Sequence, residues 1–86
     1  MVDIGVELDT ARNLAKRGDF DHALGSVNGI LLENPKNTEA LFLQGGIYLK
    51  LGRPGQAMES WQKVLGVNPS HEKAREWVAR LQRKGF

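Results

Sequence analysis

The side chains able to do acid–base, nucleophilic or metal chemistry are few in this chain and poorly placed for it. There are two histidines, His22 and His71, and no cysteine. Each histidine falls in the first turn of an expected helix, where it should be exposed. Two histidines without a thiolate do not make a dedicated metal site. Ser26, Ser60 and Ser70 have no neighbouring base in sequence. Asp19 and Asp21 share one helix start, where acids cap the backbone and complement the helix dipole. Gly45-Gly46 sits inside an apolar helical pattern, not between a strand and a helix, so it is no phosphate loop. No catalytic site assembles from these residues and no cofactor is implied, so the chain is expected not to be an enzyme. What remains is recognition chemistry. Phe42 and Leu49 supply apolar surface, and Arg12, Lys16, Lys50 and Arg80 flank it with positive charge. An apolar patch rimmed by cations suits a short peptide with a hydrophobic anchor and carboxylates.

These residues are positioned by a pattern that repeats every 34 positions. Gly18 recurs as Gly52, Ala23 as Ala57, Ser26 as Ser60, Leu31 as Leu65, and Asn34-Pro35 as Asn68-Pro69. Ala11 with Gly45, Leu14 with Tyr48, Leu24 with Met58 and Ile30 with Val64 are conservative matches in the same register. A fixed period of this size marks a helical array in which each unit buries its apolar face on a neighbour.

Five helices follow. The first starts after Asp3, an N-cap residue, carries Leu8, Ala11, Leu14 and Ala15 at helical spacing, and stops at Gly18. Asp19 caps the second, whose apolar stripe is Ala23, Leu24, Val27, Ile30 and Leu31, and Asn34-Pro35 ends it. The third runs from about Thr38 to Leu51 and closes at Gly52. The fourth opens at Pro54, whose fixed φ suits a first turn, and buries Ala57, Met58, Trp61, Val64 and Leu65. Ser70 is expected to cap a fifth helix that reaches Lys84, with Ala74, Trp77, Val78 and Leu81 on one face. Small residues (Ala11 or Gly45, Ala23 or Ala57) let paired helices approach, and large ones (Leu14 or Tyr48, Val27 or Trp61) fill the space beside them. Gly25 and Gly29, one turn apart on the second helix, are either a close contact to another chain or tolerated on an exposed surface.

The second repeat resembles the tetratricopeptide repeat: Gly45 three residues before Tyr48, Gly52 at the turn, Ala57, Trp61 four residues later, and Pro69. The first repeat keeps Gly18-Asp19-Phe20, Ala23 and Pro35, but has Glu7 where a large apolar residue is usual. The second has Leu41 where tryptophan is common and Gln44 where leucine is expected. The resemblance implies one all-α domain of five helices, a right-handed superhelical array of antiparallel pairs. Residues 3–35 would form repeat 1, 37–69 repeat 2, and 70–84 a capping helix.

Function by resemblance is protein–protein interaction, with the ligand in a concave groove lined by the first helix of each pair. Carried over by register, the lining is Leu8, Arg12, Ala15 and Lys16, then Phe42, Gly46, Leu49 and Lys50, then Glu76, Arg80, Arg83 and Lys84. The third helix supports this independently. Ala40, Leu41, Leu43, Ile47, Tyr48 and Leu51 suffice for its packing, which leaves Phe42 and Leu49 over, unless a central helix is simply buried all round. The family's grip on chaperone tails uses lysine, asparagine, asparagine, lysine and arginine at positions that read Leu8, Arg12, Leu43, Lys73 and Trp77 here. Only Lys73 fits, so that specialisation is set aside.

The alternative function is self-association, through the outer face or through the first helix, whose open side carries Val2, Ile4 and Val6. Net charge is +2, but residues 71–86 hold five cations against two acids. That basic end could draw an acidic or nucleic-acid partner, although Trp77 is its one stacking aromatic and packing claims it. The apolar-rich run Ala40 to Leu51 is too short to span a bilayer and is interrupted by Gln44 and Lys50. With no leader at the start, the default compartment is cytoplasmic.

Overall fold

The computed structural model describes residues 3–85. It contains α1 (Ile4–Lys16), α2 (Phe20–Glu33), α3 (Thr38–Lys50), α4 (Pro54–Val67) and α5 (Glu72–Arg83), each packed antiparallel on the next. α1 also touches α3, so the first helices of the two pairs lie side by side.

The repeat period reproduces atomic detail at the turns. After α1 the Gly18 N–H donates to Ala15 O at 3.0 Å and the Asp19 N–H to Leu14 O at 2.9 Å. After α3 the Gly52 N–H donates to Leu49 O at 3.0 Å and the Arg53 N–H to Tyr48 O at 2.9 Å. Both are Schellman closures, which need a left-handed residue, and Gly18 (φ +82°) and Gly52 (φ +75°) supply it. The second connections match as well: the Asn37 N–H donates to Asn34 O, and the His71 N–H to Asn68 O, each at 3.1 Å.

That four-residue turn corrects one expectation. Ser70 is not the cap of α5; it sits within the turn, its N–H donating to Asn68 Oδ1 at 3.2 Å. The cap falls one residue later, at the register of Asn37. His71 Nδ1 accepts from the Ala74 N–H at 3.1 Å, as Asn37 Oδ1 accepts from the Ala40 N–H at 2.9 Å. Asp3 and Asp19 cap α1 and α2 as expected. His71 is also half-buried, not exposed, because its ring packs on Phe42 with centroids 5.1 Å apart.

The interior forms two clusters. Leu8, Ala11, Ala23, Val27, Ile30, Ala40 and Ile47 join the first pair to α3. Leu41, Ala57, Met58, Trp61, Val64, Ala74, Val78 and Leu81 join the second pair to α5. Leu65, expected in the core, is half-buried. Trp61 is the largest wholly buried side chain, at 1% exposure. Its Nε1–H donates to the Phe42 carbonyl at 3.1 Å, and Trp77 stacks on its ring at 5.1 Å between centroids. A Cβ at residue 45 would run into Trp61 Nε1, so Gly45 is what admits the indole. At the same α3–α4 interface, Ser60 Oγ donates to Gln44 Oε1 at 2.7 Å, and Gln44 Nε2 donates to Asn28 Oδ1 at 3.0 Å. Gln44 stands where leucine was expected because it ties α2 to α4 through α3.

Candidate functional site

Two adjoining clefts open along α1 and α3. The first, about 340 Å³, lies between them, with Ala15, Phe20, Leu43, Gly46 and Ile47 as its floor and Arg12, Lys16 and Lys50 around it. The second, about 370 Å³, shares Arg12, Leu43 and Gly46 and extends past Phe42 and Glu39 to His71 and Lys73 at the start of α5. Together they make one groove across the first helices of the two pairs and onto the closing helix.

Helix periodicity explains the assembly. Arg12 and Lys16 are one turn apart on α1, as are Gly46 and Lys50 on α3, and the 34-residue period gives both pairs the same register. Lys16 and Lys50 end their helices, where cations also complement the dipole. The first cleft is lined by three cations and no carboxylate. Arg12 is partly neutralised, with Nη2 at 3.0 Å from Glu39 Oε2 and Nη1 at 3.4 Å from Asp9 Oδ1. No described carboxylate lies within 4.0 Å of Lys16 or Lys50.

Of the residues expected to line the groove, Arg12, Lys16, Gly46 and Lys50 meet in the first cleft and Phe42 lines the second. Leu8 does not contribute: it is 5% exposed, drawn into the first core cluster with Ala23 and Val27. Leu49 is half-buried against the second core cluster and lines neither cleft. Glu76 faces a separate depression on α5 with Glu72, Arg75 and Ala79. Arg80 places its guanidinium over Trp77, 5.1 Å from the ring centroid. Six lining residues lie outside the expected set: Phe20, Glu39, Leu43, Ile47, His71 and Lys73. Leu43 does more than pack: it is half-buried, with one side left to the groove. Phe20 opens α2 and has no periodic partner to reveal its direction. His71 reaches the groove through the cap it makes.

The open side of α1 is mostly polar. Val6 is 59% exposed, but Asp9, Asn13 and Arg17 are exposed beside it at the register where α3 carries the buried Ile47 and the half-buried Leu43 and Leu51. Val2 lies outside the described residues. Gly25 and Gly29 are exposed, with open space where a Cβ would stand. No helix among the described residues is long and apolar enough to cross a membrane.

No protein-family profile matches the chain. It is 36% identical over 77 residues, 90% of its length, to a tetratricopeptide repeat and J domain-containing co-chaperone of Fusarium oxysporum f. sp. lycopersici, of which it spans 15%. It is 38% identical over 58 residues, 66% of its length, to a TPR repeat-containing protein of Methanocaldococcus jannaschii, of which it spans 10%. The period, the duplicated turns, the five antiparallel helices and these two relatives place the chain in the tetratricopeptide-repeat family.

Proposed function

We propose that the chain is a non-catalytic protein-binding module that holds a segment of another protein in the groove formed by α1, α3 and the start of α5. Modules of this family generally mediate protein–protein interaction. The observation that carries the reading is the first cleft: an apolar floor left uncovered beside two lysines that no carboxylate of the described fold engages. Leaving Phe20 and Leu43 partly uncovered forgoes some burial energy, and a bound apolar side chain would recover it.

Affinity capture with charge-reversed variants tests this. Lys16→Glu/Lys50→Glu should lose partners that the unchanged chain retains, while Lys63→Glu on the opposite side should keep them. Equal retention by both variants would count against the groove.

A further inference from the structure

α5 begins on a hydrogen bond that only a neutral imidazole can make. His71 Nδ1 accepts from the Ala74 N–H at 3.1 Å, which places the proton of the neutral ring on Nε2. The 34-residue period supplies the comparison. Asn37 holds the same place at the start of α3, and its Oδ1 accepts from the Ala40 N–H at 2.9 Å. The turns before the two caps close alike, each with a 3.1 Å bond back to Asn34 or Asn68. The helix starts therefore differ in one property: the amide cap of α3 has no proton to gain, and the imidazole cap of α5 has. Histidine is the side chain that changes charge between about pH 5 and 8.

The surroundings decide which state suits the fold. On a protonated ring Nδ1 carries its own hydrogen toward the Ala74 N–H, donor against donor, and the cap is lost. The charge also stands at the positive end of the α5 dipole. Of the charged groups lining the cleft with His71, Arg12 of α1 and Glu39 of α3 are paired at 3.0 Å, and Lys73 adds repulsion. α4 puts no charged residue into that cleft. On α5 itself Glu72 and Arg75 follow the ring in sequence with opposite signs. No described carboxylate lies within 4.0 Å of a His71 nitrogen. The Phe42 ring, 5.1 Å away between centroids, would attract an imidazolium. That is one gain, set against the broken cap, the dipole and Lys73. His22 is the contrast: its Nδ1 lies 2.8 Å from Asp19 Oδ1, so a second ring proton leaves that bond in place.

We propose that His71 is a proton-released clasp, which holds the first turn of α5 and covers Phe42 while neutral and lets go on mild acidification. The effect reaches the groove because His71 and Lys73 both line its α5 end. Proton uptake loosens that wall and adds a cation to it. The clasp is a property of the fold, independent of what the groove binds.

The test is a series from about pH 8 to pH 5 on the isotope-labelled chain and on His71→Asn, which copies the Asn37 cap. In the unchanged chain the Ala74 amide should move with the His71 ring signals, while the Ala40 amide, under Asn37, stays still. Across the series the unchanged chain should lose about 4–8 °C more in melting temperature than His71→Asn, the size of a lost cap in a chain of this length. His22→Asn should lose at least as much as the unchanged chain, which assigns the effect to one of the two histidines. Equal losses for the unchanged chain and His71→Asn overturn the clasp. So does an Ala74 amide as still as that of Ala40 across the series.

Discussion

At the residue scale the most informative pair is Gly45 and Gly46. Alanine at 45 drives a methyl group into the Trp61 indole, which is held by its bond to the Phe42 carbonyl and by Trp77. Gly45→Ala should destabilise by about 1–3 kcal/mol as an overpacked core site. Gly46→Ala should stabilise by up to ~1 kcal/mol, because helix propensity improves with no contact to displace. Denaturant melts of the two variants check the pair, and a change of the same sign for both would refute the packing described here. Trp61→Ala should cost about 3–5 kcal/mol, a large part of the ~4–13 kcal/mol available to a chain of this length. A pH effect sits at Asp19. The hydrogen bond from His22 Nδ1, at 2.8 Å, is the main cause that holds its carboxyl below the usual 3.8. A depressed folded-state value means the contribution is complete above the unfolded-state value and is lost as pH falls through the folded one. Carbon-detected titration should show Asp19 protonating below pH 3.8 in the unchanged chain and moving upward in His22→Ala.

The scale of elements shows what the sequence could and could not reveal. Helix order and ends were readable because they depend on local chemistry: a left-handed glycine at 18 and 52, a proline at 35, 54 and 69, an aspartate at 3 and 19. The α5 cap was misread because serine is the commoner cap, and only the shared turn length after Asn34 and Asn68 moves the role to His71. Replacing His71 by alanine should lower stability by about 1 kcal/mol. His71→Asn should restore most of that loss and Ser70→Ala should change little, all read from thermal melts. The groove was half legible. Register brings Arg12, Lys16, Gly46 and Lys50 to one cleft, since equivalent residues on stacked helices share a direction. Register could not tell which apolar residue faces inward. Leu8 and Phe42 are repeat partners, yet Leu8 sinks into the core while Phe42 is only partly buried, beside His71. α2 offers a simpler check: Gly25→Ala/Gly29→Ala should stabilise by up to ~2 kcal/mol with oligomeric state unchanged, because both positions are open.

At the scale of the whole molecule, the array is elongated, 39 × 26 × 17 Å, and its two broad sides differ. One bears the groove with its cations. The other carries the Asn28–Gln44–Ser60 bonds and Leu32, which is 85% exposed. The polar open face of α1 gives a second copy little apolar area to bury, so the chain should sediment as a monomer across a concentration series. A mass that grows with concentration would favour association through α1 or the Leu32 side. Binding in the groove should weaken as salt rises, since its cations are exposed and screened. The most direct measurement of the central claim is photo-crosslinking from a benzophenone side chain placed at Lys50, compared with the same group at Lys63 on the far side. Covalent capture of a partner segment from position 50 and not from 63 is the predicted result. Capture from 63 alone would show that the partner sits on the opposite face and would contradict the account.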